Sequence, residues 1–162
     1  MGGDVLILIP IGSIRTPFDD IEGMPIQPGG AADILGRVEV KPEYMEGLKD
    51  LEGFSHIILI YQFHRSRGFS LQVHPFLDDE ARGVFSTRAP RRPNPIGFSV
   101  VELTRVDGWI LHVRGIDVLD GTPLLDIKPY VPDFDTPRAT RIGWLEGKTG
   151  KSRETRADDR FM

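Results

Sequence analysis

The apolar residues of this chain fall in short runs of strand length separated by turn residues, and this pattern restricts the possible folds most strongly. The most hydrophobic run covers residues 55–63 (SHIILIYQF) and predicts a buried central strand. Residues 98–105 and 109–114 flank Asp107-Gly108, and Asp-Gly between two apolar runs is a strong signal for a β-hairpin. The chain is therefore expected to fold mainly from strands joined by turns.

The remaining pattern predicts one all-β domain. The other predicted elements are three strands and one short helix, at residues 6–14, 34–40, 124–127 and 42–53 respectively. Because strands and helices do not alternate along the chain, a doubly wound parallel sheet is disfavoured. We predict a mainly β fold, a single antiparallel β-barrel with few short helices, at residues 4–135. A polar C-terminal segment, residues 136–162, is expected to be partly mobile.

The composition excludes several kinds of site. The chain has no cysteine, which excludes disulfides, zinc–thiolate sites, iron–sulfur clusters and thiol nucleophiles and favours a reducing, cytoplasmic setting. The four histidines lack H-x-H or H-x-x-x-H spacing, so no metal is expected. No apolar run approaches the roughly 20 residues of a membrane span, and residues 1–10 lack the basic flank of a secretory signal.

Charge is unevenly distributed along the chain. The formal net charge is −4, but residues 1–81 hold 13 acidic and 6 basic residues, whereas residues 82–162 hold 11 acidic and 14 basic residues. Between positions 82 and 101 there are four arginines and no acid. Such a local basic patch can bind a phosphate backbone even when the total charge is negative. The alternative is that these arginines solvate a loop.

A Pro-rich segment, residues 85–99 (FSTRAPRRPNPIGFS), is the first candidate for function. Proline fixes φ and favours an extended conformation in the preceding residue. The segment could therefore present Arg88, Arg91, Arg92 and Asn94 as a rigid polar surface. The alternative is a Pro-rich turn with its arginines in water.

Two further segments carry polar groups. Residues 120–123 (DGTP) predict a tight turn whose N–H groups and Thr hydroxyl can face a ligand. Asp126, Lys128 and Tyr130 share one face if they lie on a strand, which indicates either a polar site or a solvated strand face. Residues 23–30 (GMPIQPGG) form a loop whose backbone can approach a ligand closely, with Gln27 as a hydrogen-bonding group.

Together with residues 11–18 and 47–64, these segments resemble the TsaA-like family, also called the TrmO family, over residues 9–135. The strings TRAPRRPNPIGFSVVEL and DGTPLLDIKPY are similar to its two signature blocks. The resemblance implies a single antiparallel β-barrel, unlike the Rossmann methyltransferases, that acts as a homodimer and uses S-adenosyl-L-methionine. Characterised bacterial members N6-methylate threonylcarbamoyl-adenosine beside the anticodon of a threonine tRNA, at position 37.

The resemblance also implies functional residues. Cofactor contacts fall on Pro25, Ile26, Gln27, His64, Arg65, Arg88, Phe98, Asp120, Gly121, Thr122 and Pro123. Within this set, Arg88 could bind the cofactor carboxylate or RNA phosphate, and Phe98 could pack on adenine. Catalytic candidates that could accept hydrogen bonds from the acceptor amine are Asp126, Tyr130 and the carbonyls of the Asn94-Pro95 turn. Candidates for binding the anticodon stem-loop through phosphates are Arg91, Arg92, Arg138 and Arg141.

Two departures from the family pattern concern the substrate more than the cofactor. The chain has Pro25-Ile26-Gln27 where the family commonly has Pro-Arg-Gln, and it lacks the C-terminal extension of longer bacterial members. Two alternative functions are therefore considered beside a tRNA methyltransferase. One is a protein that binds S-adenosyl-L-methionine or RNA without catalysis, and the other is a small-molecule methyltransferase on the same barrel.

Overall fold

The structure is a computed structural model that describes residues 3–20 and 31–148. Within these residues it contains eight strands, β1 (Gly12–Arg15), β2 (Leu35–Val40), β3 (His56–Gln62), β4 (Gln72–Val73), β5 (Arg82–Gly83), β6 (Ile96–Asp107), β7 (Ile110–Arg114) and β8 (Thr122–Pro129). Helical structure in the described part is limited to one short α-helix, α1 (Pro132–Asp135), and 3₁₀ turns at Pro42–Leu48, Leu51–Gly53, Val84–Ser86 and Gly143–Leu145.

Six of the strands close into a barrel in the order β1-β2-β7-β6-β3-β8, and β8 pairs with β1 to complete it. Every pairing in the barrel is antiparallel. The predicted mainly β fold and single antiparallel barrel are therefore confirmed. The closed sheet leaves these six strands without an open edge that could pair with another chain.

Every second side chain along the strands points inward, and these side chains fill the barrel interior. In β3, Ile57, Leu59 and Tyr61 are buried, while the residues between them are partly exposed. The other strands contribute inward residues in the same way, among them Ile14, Val38, Val101, Leu111, Val113 and Leu124. Burial of each such aliphatic side chain stabilises the fold by about 1.5–3 kcal/mol.

The predicted hairpin is confirmed, with a longer first strand than expected. β6 and β7 pair from Asp107 and Ile110 outward, and Gly108 in the turn has a φ of 61°. A left-handed φ of this kind is what glycine supplies without steric cost. The pairing shifts register between Leu103 and Arg105, which places a β-bulge in β6.

The predicted strand at residues 6–14 is wrong in its first half, because β1 begins only at Gly12. Gly12 pairs with Val40, the last residue of β2, so β2 offers no strand partner to the residues before Gly12. Pro10 also lacks a backbone N–H for a ladder. Residues 5–9 therefore remain outside the sheet, and their apolar side chains are exposed.

The predicted helix between residues 42 and 53 is instead two 3₁₀ turns, Pro42–Leu48 and Leu51–Gly53. Asp50 separates them and adopts a left-handed φ of 69°, which interrupts helical backbone geometry. Leu48 and Leu51 still pack into the core. The apolar spacing thus correctly predicts that Leu48 and Leu51 are buried, but the prediction of a single helix is wrong.

The antiparallel order places three connections at one end of the barrel, which we call the site end. β1 ends where β2 begins, since Arg15 pairs with Arg37, and β3 ends where β6 begins, since Gln62 pairs with Ile96. The connections at this end are residues 16–34, 63–95 and 115–121. Residues 41–55 and the β6–β7 hairpin lie at the opposite end.

The long connection 63–95 contains β4 and β5 and has its own small apolar cluster of Val73, Val84 and Ala89. Part of the predicted C-terminal segment docks on it. The indole N–H of Trp144 donates to the backbone oxygen of Ser86 at 2.8 Å, and the Lys148 ammonium lies 3.1 Å from the Asp78 carboxylate. The C-terminal segment is thus held by specific contacts up to position 148, and positions 149–162 lie outside the described residues.

Candidate functional site

The site end brings together predicted residues that lie far apart in the sequence. His64 and Arg65 follow β3, Arg88 and Asn94 precede β6, and Asp120 precedes β8. Pro25, Ile26 and Gln27 belong to the connection between β1 and β2 but lie outside the described residues. Barrel closure therefore places the two signature blocks at the same end of the molecule.

Arg88 and Phe98 form the most distinctive pair at the site end. The guanidinium carbon of Arg88 lies 4.9 Å from the centroid of the Phe98 ring, in a cation–π contact. Phe98 is 47% exposed and Arg88 is also exposed. Within the described part of the chain, Arg88 makes no hydrogen bond or ion pair, so its N–H donors remain available beside an accessible aromatic face.

Asp126 lies on the same outer face of the barrel as Phe98. Ile60 of β3 pairs with Phe98 on one side and with Asp126 on the other, and directly paired residues point to the same side of a sheet. Two strand spacings separate Asp126 from Phe98, about 10 Å. The Asp126 carboxylate is already paired, since the Lys128 ammonium lies 2.9 Å away.

Tyr130 lies apart from this group. It follows the end of β8, where its backbone N–H donates to the His56 oxygen at 3.1 Å and its ring packs edge-on to the imidazole. Four residues of strand separate Tyr130 from Asp126, about 13 Å. Of the three residues predicted to share one strand face, Asp126 and Lys128 pair with each other on β8, but the structure does not bring Tyr130 to them.

The Asp120-Gly121 turn is tied to the end of β1. The Gly121 N–H donates to the Ile14 oxygen at 2.9 Å, and the Asp120 N–H donates to the Phe18 oxygen at 2.8 Å. The Thr122 hydroxyl donates to Leu119, and Pro123 pairs within the sheet. The expectation that these donors face a ligand is therefore corrected, because they bond to backbone oxygens and hold the turn in place. The turn contributes to the shape of the site end, not hydrogen-bond donors for a ligand.

His64 and Arg65 link two connections of the site end. Arg65 donates to the backbone oxygen of Asp19 at 2.6 Å, which ties connection 63–95 to the residues after β1. Partial burial, together with the neighbouring Arg65 and Arg67, holds the pKa of His64 below its usual value. The imidazole is therefore neutral at neutral pH and can accept or donate a hydrogen bond.

The Pro-rich segment is braced from within, as its rigidity predicts. Arg92 donates to the backbone oxygens of Thr87 and Ala89 at 3.0 and 3.3 Å, so part of this guanidinium has a structural role. The Nε of Arg91 is buried without a hydrogen-bond partner among the described residues.

Both carbonyls of the Asn94-Pro95 turn are engaged within the protein. The Asn94 oxygen accepts from the Ile96 N–H and the Pro95 oxygen accepts from the Phe63 N–H, each at 2.7 Å. These carbonyls are therefore weaker candidates for orienting a substrate amine than the sequence suggests. The Asn94 side chain remains exposed.

Arg138 and Arg141 are exposed and lie between α1 and the docked Trp144. Trp144 contacts Ser86 at the start of the Pro-rich segment. Because Arg141 precedes Trp144 by only three residues, it lies on the same side of the molecule as connection 63–95.

A buried hydrogen-bonded chain of Tyr61, Ser99 and Asp117 was not predicted from the sequence. The Ser99 hydroxyl donates to the Asp117 carboxylate at 2.6 Å and lies 2.8 Å from the Tyr61 hydroxyl. Burial raises the pKa of Asp117 to about 6, against the opposing effects of Ser99 and Arg88. Burial, followed by the Asp117 charge, raises the pKa of Tyr61 above its usual value. Polar residues at inward positions of β3 and β6 were the available signal for Tyr61 and Ser99, whereas no periodicity marks Asp117.

Neither a membrane-spanning helix nor a metal-binding cluster occurs in the described ranges, 3–20 and 31–148. They contain no helix of the length and hydrophobicity that a bilayer crossing requires. They also contain no cluster of three or more His, Asp or Glu side chains with the spacing of a metal site.

Comparison with known proteins gives consistent matches. The family model for the tRNA-methyltransferase O N-terminal domain matches residues 13–136. A Pyrococcus abyssi protein named a probable S-adenosyl-L-methionine-binding protein is 58% identical over 153 residues, which cover 94% of this chain and 83% of that protein. The human tRNA (adenine(37)-N6)-methyltransferase is 37% identical over 142 residues, covering 82% of this chain but 32% of the human protein.

Solved structures match the same family. The crystal structure of TrmO from Pseudomonas aeruginosa superposes with a TM-score of 0.73 at 40% identity, covering 87% of this chain and 63% of that one. This chain thus spans under two thirds of that structure. The family model's match, residues 13–136, contains the barrel apart from Gly12 and includes both signature blocks. On this ground the chain belongs to the tRNA-methyltransferase O family.

Proposed function

We propose that this protein transfers a methyl group from S-adenosyl-L-methionine to the N6 amine of the adenosine at tRNA position 37, in its threonylcarbamoyl form. The observation that carries the proposal is the Arg88–Phe98 pair, exposed where both signature blocks meet. Family membership supports the reaction class, and relatives over most of this chain are named for binding this cofactor.

The residues at the site end fit the cofactor. When bound, S-adenosyl-L-methionine supplies an electrophilic methyl group on a positively charged sulfur. The free N–H donors of Arg88 can bind its carboxylate, and the exposed ring of Phe98 with Ile60 beside it can pack on its adenine. The Asp120-Gly121 turn, His64 and Arg65 lie at the same end; the family resemblance adds Pro25 and Gln27, which are outside the described residues.

The chain contributes to the reaction chiefly by positioning. The N6 amine is a poor nucleophile, since its lone pair is delocalised into the adenine ring. A rigid site that aligns the amine with the methyl group lowers the entropic part of the barrier. The brace between Arg92 and the backbone of the Pro-rich segment and the link from Arg65 to Asp19 provide this rigidity.

The RNA-binding surface follows from charge and exposure. Arg91, Arg138 and Arg141 would contact phosphates of the anticodon stem-loop, and Arg92 would contribute the donors that its structural role leaves over. Such contacts set register and affinity but do not read the base sequence. We also propose that the protein acts as a homodimer and that it is located in the cytoplasm, with its tRNA substrate.

A second candidate function is binding without catalysis. Archaeal relatives are named as S-adenosyl-L-methionine-binding proteins, and one from Archaeoglobus fulgidus is 42% identical and is covered over 99% of its length. Such a protein would keep the Arg88–Phe98 pair and would not need a group that accepts a proton from the amine.

The two candidates are separated by incubating the protein with methyl-labelled S-adenosyl-L-methionine and total tRNA from cells that lack the modification. Label in tRNA, located at position 37 by nuclease digestion, supports the methyltransferase. Calorimetric binding of the cofactor without any label in RNA supports the binding protein. Transfer of label to small metabolites in a cell extract instead of tRNA would favour the small-molecule methyltransferase.

A further inference from the structure

The Asp117 carboxyl group lies at the boundary between the barrel interior and the site end. On its inner side, Ser99 and Tyr61 are 1% and 4% exposed, whereas Asp117 itself keeps part of its surface accessible. It stands in connection 115–121, three residues before the Asp120-Gly121 turn, and it contacts Ser99 of the first signature block from the interior side of β6, whereas Phe98 points outward. Arg88 is the site-end residue whose charge acts on Asp117. Asp117 therefore adjoins both signature blocks.

The hydrogen bonds leave one oxygen of Asp117 available to a ligand. The Ser99 hydroxyl has a single proton, which it donates to Oδ1 at 2.6 Å, so the Tyr61 hydroxyl must donate to Ser99. Apart from Ser99, no side chain of the described residues hydrogen-bonds this carboxyl group; its own backbone N–H is the other donor. Because each carboxylate oxygen has two lone pairs, Oδ2 keeps acceptor capacity for an incoming donor whichever oxygen this N–H bonds to.

The other acidic candidate is less suited to accept a proton. Asp126 is bound to the Lys128 ammonium at 2.9 Å, and both side chains are about half exposed. The Lys128 ammonium therefore competes with an incoming donor for the Asp126 oxygens. The groups that face Asp117 are Tyr61 from β3, Ser99 from β6 and, at longer range, Arg88 from connection 63–95. Of these, Arg88 carries the one positive charge, and it makes no ion pair with Asp117 among the described contacts.

We infer that Asp117 is a catalytic residue that accepts, at Oδ2, the proton that the N6 amine loses when it is methylated. This inference rests on the proposed function. The nitrogen lone pair forms the new bond to carbon, and the electron pair of the broken carbon–sulfur bond stays on sulfur, which becomes neutral. The N–H proton moves to the Asp117 carboxylate, which becomes a neutral acid and then releases the proton to water.

This role predicts a specific pH dependence. Only the ionised carboxylate can accept a proton, so turnover falls as the pH decreases through the pKa of Asp117, about 6. The Ser99 hydrogen bond favours the ionised form. Ser99→Ala therefore raises this pKa and moves the fall in turnover to higher pH.

The test measures label transfer to tRNA between pH 5 and 8.5, together with calorimetric cofactor binding, for wild type, Asp117→Asn, Ser99→Ala and, as a control acid at the opposite end of the barrel, Asp107→Asn. A ¹³C carboxyl NMR titration of the cofactor-free wild type and Ser99→Ala proteins follows Asp117 directly. Asp117→Asn is expected to lower turnover about 100-fold at an unchanged cofactor Kd. Ser99→Ala is expected to shift the NMR and turnover midpoints upward together.

Three results would overturn the inference. The first is an Asp117→Asn protein that retains wild-type turnover with the same pH midpoint. The second is a Kd that weakens in proportion to turnover, because Asp117 would then only position the cofactor. The third is an NMR midpoint that moves in Ser99→Ala while the turnover midpoint does not. If wild type itself labels no tRNA, the proposed function fails as well, whereas an active wild type with an active Asp117→Asn variant rejects this assignment alone.

Discussion

At the scale of the residue, Gly97 shows how tightly the site is packed. A Cβ built on Gly97 would lie 2.6 Å from ring atoms of both Tyr61 and Phe63, and these two rings contact each other edge to face. Gly97 thus allows the aromatic rings to lie directly against the start of β6, within the Pro-rich segment and next to Phe98. The buried Tyr61 cannot shift without disturbing its contact with Ser99.

Gly97→Ala is therefore expected to destabilise the protein by about 2 kcal/mol, the typical result of overpacking a core. The measurement is urea unfolding at pH 7. Gly83→Ala is the matched control, because a Cβ there meets nothing within 4 Å and its φ is −58°. Equal stability of Gly97→Ala and the control would show that the rings are not held as described.

A second prediction at this scale concerns how Asp117 affects the stability of the protein, not its turnover. Its pKa in the folded protein, about 6, exceeds the value near 3.9 of an unfolded chain. The stabilising effect of its protonated form is thus complete below about pH 4 and is lost as the pH rises through about 6. Asp117→Asn should gain stability relative to wild type between pH 4 and 7.5, measured by urea unfolding at both values. A difference that does not change with pH would contradict the burial of this carboxyl group.

At the scale of the element, local patterns predicted strands well and their boundaries less well. β3 and the β6–β7 hairpin were predictable because alternation and an Asp-Gly turn are local signals. The true beginning of β1 at Gly12 was not predictable from local pattern. Residues 6–11 have the pattern of a strand, but they lie beyond the last residue of β2 that could pair with them. Likewise the Ser99–Asp117 contact joins residues 18 positions apart, and only barrel closure makes them neighbours.

The docking of the C-terminal residues is a prediction at this scale. Arg82 and Lys148 both pair with the Asp78 carboxylate, and both cations approach the Trp144 ring. These contacts hold the pKa of Asp78 well below its usual range, with the Arg82 hydrogen bond as the largest cause. Asp78→Asn is expected to release the 3₁₀ turn Gly143–Leu145. This release would appear as faster hydrogen exchange at the Trp144 indole N–H, which donates to Ser86.

Asp79→Asn provides the matched control, since the neighbouring carboxylate makes no ion pair with the docked residues. Exchange at β3 should be unchanged in both variants, because the barrel does not depend on this contact. If Asp78→Asn exchanges at Trp144 as slowly as wild type, the ion pairs do not anchor the segment.

At the scale of the whole molecule, barrel closure assembles the candidate site. Connections 16–34, 63–95 and 115–121 leave the same end, so the family's two signature blocks meet although they are separated in sequence. The family resemblance named candidate residues, but not that the donors of the Asp120-Gly121 turn would be used internally or that Tyr130 would lie at the other end. Those outcomes depend on strand register, which no short motif encodes.

The central claim is that Arg88, stacked on Phe98, binds the cofactor at the site end. Calorimetric titration of S-adenosyl-L-methionine into wild type, Arg88→Ala and Arg105→Ala tests it most directly, because Arg105 is an exposed arginine near the β6–β7 hairpin at the opposite end. Loss of a charge-assisted hydrogen bond should weaken binding to Arg88→Ala about 10-fold or more, while Arg105→Ala binds as wild type does. Equal affinity of all three proteins would contradict the placement of the site.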